Sequence, residues 1–305
     1  MIEYLSSIPS SIVLGLIWGL MALGVYITYK ILDIPDLTVD GSFATGGIVA
    51  IVLISSGMHC LLALLIAFIA GLVCGLITGL LHTLLGIPAI LAGILTQMSL
   101  WSINLLINSN TSNIRIADES AALILSKDVV GGIWKMAIVI VAIIGLLYLF
   151  FGTELGASIR ATGNNAKMSR AQGINTKLNI VLGLAISNGL VALSGALLAQ
   201  NQTYADINMG RGAIVIGLCA VVIGTLIFSK IAKNFAVRLA SVIVGAVIYY
   251  IIFQTVLFLG LDPNLLKMLA AVIVAVFLGI PYIKRTYWGR IKKRIDNHKL
   301  MKEAK

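Results

Sequence analysis

Long apolar runs alternate with short polar ones along this chain, and the charges are grouped in the polar runs and near the ends of the apolar ones. No Asp, Glu, Lys or Arg occurs from Gly41 to Ile114. Further charge-free stretches run from Met136 to Thr153, Leu178 to Ala205, Gly212 to Ser229, Leu239 to Leu261 and Met268 to Ile283. A transmembrane helix needs about 20 mostly apolar residues. The pattern therefore predicts nine spans, near 11–32, 41–57, 60–81, 87–108, 133–151, 178–199, 212–229, 236–258 and 265–283. The expected fold class is all-α, a polytopic helical membrane protein, with one transmembrane domain over 1–283 and a basic tail over 284–305. The first apolar run follows Met-Ile-Glu without a basic flank and is long enough to span, so it reads as a retained helix and not as a cleaved leader.

Composition agrees: of 305 residues 59% are hydrophobic and 11% charged, against about a quarter charged in a soluble domain. The placement of the charges adds direction, because Lys and Arg concentrate on the cytoplasmic side of membrane proteins. The tail KRTYWGRIKKRIDNHKLMKEAK, the stretch holding Arg160, Lys167, Arg170 and Lys177, the loop with Lys230, Lys233 and Arg238, and Lys30 together carry seventeen of the twenty-two basic residues. Placing them inside puts the C-terminus in the cytoplasm and, with nine spans, the N-terminus outside. The net charge of +10 is thus mostly a topology signal. Anionic headgroups would attract the tail. The tail lacks a recognition fold, so no nucleic-acid partner is expected.

Shifted by 170 residues, 18–52 aligns without gaps on 188–222. Gly19 meets Gly189, Ala22-Leu23 meets Ala192-Leu193, Asp36 meets Asp206, Gly47 meets Gly217 and Ala50 meets Ala220. An odd number of spans separates the two copies, so they run in opposite directions. This predicts an inverted repeat with halves near 11–151 and 178–283, an arrangement typical of transporters, whose solute path lies at the repeat interface. The joining loops DIPDLTVDGSF (33–43) and TYADINMGRGA (203–213) have equal length and carry the candidate helix-break residues Asp36, Asp40, Asp206 and Arg211. Asp40, just before Gly41-Ser42, is expected to cap a helix start. The acids could equally line an aqueous cavity or meet a partner.

Inside the spans the chemistry is neutral. Gln97, Asn104, Asn188 and Thr45 are candidate pathway residues, although amides and hydroxyls in hydrocarbon also serve as hydrogen bonds between helices. The absence of charge at mid-span argues against a proton-coupled mechanism. Gly71, Gly75 and Gly79 share one helix face and predict close helix packing within the chain. Cys60, Cys74 and Cys219 read as buried hydrophobes, and His59 and His82 as helix-end residues, so no metal site is expected. No GxxxxGK[ST] loop occurs, so this chain is not expected to bind ATP/Mg by that route; any ATP chemistry falls to a partner.

The polar stretch ELGASIRATGNNAKMSRAQGINTKL (154–178) stands apart. Asn164 and Asn165 suit an N-cap, Ala166 to Gln172 favours helix, and Gly173 fits the position that ends one. Arg170 falls in the last turn, where the dipole favours a cation. The expectation is a helix of about two turns between flexible glycines at 163 and 173, suited to docking. A solvated basic loop kept for topology is the plainer alternative.

The pattern GASIRATGNNAKMSRAQGIN (156–175) resembles the cytoplasmic coupling loop, here 152–177, of ATP-binding-cassette (ABC) importer permeases of the branched-chain amino acid/ribose type. LDIPDLTVDGSFATGG (32–47) resembles a narrower branch associated with aromatic or other amino-acid-like solutes. The resemblance implies a permease subunit in a bacterial plasma membrane. It implies a dock for a cytoplasmic ABC ATPase subunit formed by Gly163, Asn164, Ala166, Met168, Arg170, Gly173, Ile174 and Asn175. It also implies ATP/Mg on that ATPase, a second permease copy, and an extracellular solute-binding protein facing the outer loops 109–132 and 200–211. The competing reading is a stand-alone secondary transporter or channel for a small neutral solute. A membrane enzyme finds no catalytic constellation.

Overall fold

In a bilayer every backbone polar group must find its partner inside the protein, so apolar runs become helices. The computed structural model describes residues 2–116, 123, 129–228, 234–260 and a few positions between 268 and 279. Helix α1 (Ile2–Tyr26) runs into a π-helical turn (Ile27–Leu32). There follow α2 (Thr38–Ser55), α3 (Cys60–Thr83), α4 (Ala89–Ile107), strand β1 (Asn113–Arg115) and α5 (Val129–Gly152). The second half holds α6 (Glu154–Asn164), α7 (Ala166–Ala171), α8 (Thr176–Gln202), strand β2 (Tyr204–Asp206), α9 (Ala213–Ile227) and α10 (Phe235–Phe258).

Seven helices among the described residues are long and apolar enough to cross a membrane. The polytopic all-α fold is therefore as expected, with two departures from the nine spans. Helix α9 has 15 residues, about 22 Å at 1.5 Å per residue, which falls short of a hydrocarbon core of about 30 Å. The ninth expected span, 265–283, and the basic tail 284–305 lie mostly or wholly outside the described residues.

The core is built on α1, α2 and α8. Of the apolar stretch of α1, 83% is buried, against 17% for α5. Helix α8 lies antiparallel to α1, and two serines tie them: Ser187 Oγ donates to the Gly24 carbonyl and Ser194 Oγ to that of Ile17, both at 2.7 Å. Helix α3 packs on the opposite side of α8 through its glycine stripe, as the spacing predicts. Gly71 faces Asn188 and Ala192, Gly75 faces Leu184, and Gly79 faces Val181. The outer faces of α3, α4 and α5 expose Leu65, Ile69, Leu95, Met98, Ile138 and Leu149, which suits contact with lipid.

Hydroxyls knit the inner helices together. Thr38 on α2, Thr78 on α3 and Thr96 on α4 form a chain of hydroxyl contacts of 2.8 and 2.9 Å. A buried hydroxyl without a partner would carry a desolvation penalty of about 1–3 kcal/mol. The three threonines remove it for one another.

Candidate functional site

The chain turns back sharply after the π-helical turn. Asp33 takes a left-handed conformation (φ 56°) and Pro35 follows. This swings Asp36 inward to the middle of α8, where its Oδ2 accepts from Asn188 Nδ2 at 2.7 Å. Its Oδ1 accepts from the Thr38 backbone N–H at 2.9 Å and so caps α2. Burial pushes the Asp36 carboxyl up, opposed by the hydrogen bonds from Thr38 and Asn188. The middles of the spans carry no charge, yet this link brings a carboxyl beside the midpoint of α8. Asn188 is fully engaged: it also accepts from Ser42 Oγ at 2.7 Å and donates to the Leu184 carbonyl at 3.0 Å. Of its two expected roles, pathway or inter-helix bond, the geometry uses the second.

The expected cap by Asp40 is real but belongs to another helix. Asp40 lies inside the first turn of α2, whose start is held by Asp36. Its own carboxylate accepts from the backbone N–H groups of Gly212 and Ile214, both at 2.9 Å, and so caps α9. Gly210 packs directly on the Asp40 carbonyl, so the segment before α9 descends along α2 into the fold and does not form an outer loop. Two helix N-termini thus converge beside the midpoint of α8. The positive ends of their dipoles point there.

The two links expected to match differ in length. Helices α1–π and α8 end 170 residues apart, at Leu32 and Gln202, as the alignment requires. Helix α2 then starts at Thr38, whereas α9 waits until Ala213. The second link first forms β2, which pairs antiparallel with β1, Asn113 opposite Asp206 and Arg115 opposite Tyr204. Asp206 closes the turn by accepting from the Asn208 N–H at 2.7 Å, and Arg211 is exposed. The pairing joins 113–115 and 204–206 at one end of the bundle, before the chain descends to Gly210.

Of the remaining pathway candidates, Thr45 donates to the Gly41 carbonyl within α2, and Gln97 is half-buried, its backbone against Gly41. Asn104 is buried with its Oδ1 unpartnered. Sequence reasoning missed Gln200, fully buried near the far end of α8 with neither amide atom hydrogen-bonded. In the sequence Gln200 opens the polar run Gln200-Asn201-Gln202 just past the expected span, so nothing local set it apart.

At the opposite end of the bundle the polar stretch forms two helices. The first is α6, which the sequence pattern does not mark out; Thr153 caps it by accepting from Gly156 N–H at 3.3 Å, and Glu154 favours the first turn. Gly163 is therefore no hinge: it lies inside α6, where its missing side chain lets the helix sit on the Ile31 carbonyl at the π-helical turn. Asn164 ends α6, and Asn165 alone caps α7, accepting from Met168 N–H at 3.0 Å. Helix α7 closes as the sequence predicts. Gly173 is left-handed (φ 79°), its N–H donates to the Arg170 carbonyl, and that of Ile174 donates to Ser169, each at 3.0 Å. Met168 is 63% exposed, Arg170 is exposed, and Ala166 and Ile174 are half-buried, so α7 projects from the bundle. Asn175 starts α8 by accepting from Leu178 N–H at 3.2 Å.

This arrangement, a helical membrane bundle with two helix starts meeting inside it and a capped helix projecting at one end, has relatives. The family described as "Branched-chain amino acid transport system / permease component" matches residues 7–283. A tyrosine transport system permease protein of Clostridioides difficile (strain R20291) is 38% identical over 90% of this chain and 91% of its own. An uncharacterized protein of Rickettsia prowazekii (strain Madrid E) is 34% identical over 87% of this chain and 93% of its own. A fructose import permease protein of Bifidobacterium longum (strain NCC 2705) is 30% identical over 79% of this chain and 68% of its own. No solved structure matches. A match running through nearly every described helix, from Ser7 in α1 to beyond α10, makes the chain a member of the branched-chain amino acid transport permease family.

Proposed function

We propose that this permease imports a small amino acid, with an aromatic one as the leading candidate, and that a separate cytoplasmic ABC ATPase drives it with ATP/Mg. The observation that carries the reading is the contact line from α7 through α6 to α1. The projecting helix offers a capped, rigid dock, and Gly163 behind it bears directly on the π-helical turn. π-helical turns occur frequently at functional sites. A push on α7 would reach the Asp33 turn, and from there Asp36 and the converging helix starts. The solute reading rests on the tyrosine permease relative, on the charge-free middles of the spans, and on the unpartnered Asn104 Oδ1 and Gln200 amide. The paired strands β1 and β2 would meet an extracellular binding protein, and a second permease copy would complete the path. The meeting of the α2 and α9 starts is what an inverted repeat would produce.

The deciding experiment is co-purification. The chain is expressed with its neighbouring ATPase, with and without 163–175 replaced by a Gly/Ser linker. Capture by the wild type alone is expected. Capture by neither, with the permease folded, would favour a proton-coupled transporter, for which the buried Asp36 is the supporting observation.

Two further results are expected. Gly173→Val forces a β-branched residue into a left-handed conformation at a cost of about 1–2 kcal/mol, opening the end of α7. Solute-stimulated ATP hydrolysis should fall, and unchanged stimulation would remove the dock. Lys167→Cys, exposed on α7, should react with impermeant thiol reagents only from the cytoplasmic side. Labelling from outside would invert the topology and with it the cytoplasmic C-terminus.

A further inference from the structure

A cavity of about 650 Å³ opens where the π-helical turn, the end of α6 and the start of α10 come together. Three cations line it, Lys30, Arg160 and Arg238, against one acid, Asp33, and Tyr26 and Tyr29 stand beside them. A second cavity of about 620 Å³ adjoins it and shares Arg160 and Phe235. The second is walled by Tyr148, Leu149 and Phe151 at the end of α5. Arg160 stands between the two, its guanidinium 5.8 Å from the centre of the Phe235 ring. The ring holds the cation in place without neutralising it.

Three long apolar helices end or begin here: α1 with its π turn at Leu32, α5 at Gly152 and α10 at Phe235. Span ends are the depth at which lipid headgroups sit. Basic pockets between helices at that depth suit anionic headgroups, and tyrosine tolerates the half-wet boundary. Leu149 is 67% exposed on the outward face of α5, so the second cavity opens toward lipid.

We infer that these joined cavities bind one anionic phospholipid, its phosphate among Lys30, Arg160 and Arg238 and its chain side along Tyr148, Leu149 and Phe151. The lipid ties α1, α6 and α10 together beside the contact between Gly163 and Ile31. Membrane composition then sets how firmly the α6–α1 contact is held. The assignment to the inner leaflet rests on the orientation proposed above; binding itself does not.

The test uses the purified full chain without an ATPase, so it stands or falls separately from the importer reading. Retention of phosphatidylglycerol is followed by native mass spectrometry, and thermal unfolding is compared in phosphatidylglycerol and phosphatidylcholine nanodiscs. The wild type should retain phosphatidylglycerol and unfold at higher temperature in it. Each cation near an anionic headgroup contributes roughly a fivefold factor in affinity, so Lys30→Gln with Arg160→Gln should weaken retention about thirtyfold. Its unfolding in phosphatidylcholine should match that of the wild type. Tyr29→Glu, at an exposed position of the same cavity, should weaken retention as well and serves if the double variant does not fold. Equal retention by these variants would overturn the site. So would loss of retention on deleting 284–305 alone, which would assign the lipid to the tail. Equal protection by inorganic phosphate in phosphatidylcholine would show a free-anion site and overturn the lipid assignment.

Discussion

Asp40→Ala should collapse both stability and uptake, because it releases the start of α9 within the fold. Two backbone donors, those of Gly212 and Ile214, lose an ionised acceptor at 2.9 Å. Hydrogen bonds to charged groups contribute about 1.5–3 kcal/mol each, and an N-cap as a whole about 0.5–2. A loss of about 2–4 kcal/mol is therefore expected. Water at the membrane surface cannot replace the carboxylate, since Gly210 is packed on the Asp40 backbone. Asp40→Asn keeps one acceptor oxygen and should recover part of the loss. The check is thermal unfolding in nanodiscs alongside uptake in vesicles. An alanine variant that unfolds at the wild-type temperature would mean that α9 does not depend on this cap.

Gly163→Ala provides the second large effect, and its sign is the informative part. In an ordinary exposed helix, alanine is about 1 kcal/mol more favourable than glycine. Were Gly163 a flexible or solvated position, the variant would be neutral or more stable. Here the new Cβ falls on the Ile31 carbonyl and the Leu32 backbone, neither of which can turn aside as a side chain could. Overpacking of this kind costs about 1–3 kcal/mol, so α6 should lift from α1. The ATPase should still bind, because α7 is closed by its own caps. Solute-stimulated hydrolysis and uptake should fall together. Retained coupling in Gly163→Ala would remove the proposed line from α7 to the π-helical turn.

The contrast between α6 and α7 shows how far local chemistry carries. Helix α7 is legible because each of its stop signals is held in a few adjacent residues: Asn165 at one end, Gly173 at the other. Helix α6 has the same kind of start, Thr153 followed by Glu154, but its small polar residues resemble a loop when read without what they pack on. Gly163 misled for the same reason. A glycine between polar residues suggests flexibility, whereas this one exists to let two backbones touch.

Seven of the nine apolar spans and their order, the short helix with its caps, and the glycine stripe on α3 followed from the sequence alone. Each depends on residues within a few turns of one another and on the absence of water to satisfy a stray backbone. The convergence of the α2 and α9 starts required the tertiary structure. Asp36 meets Asn188 across 152 positions, and Asp40 meets Gly212 across 172. A carboxylate caps whichever N–H groups the fold delivers to it, and hydropathy carries no record of which those are. The same holds for the cationic cavity: Lys30, Arg160 and Arg238 lie far apart in the chain, and only the meeting of the elements that carry them makes them one site.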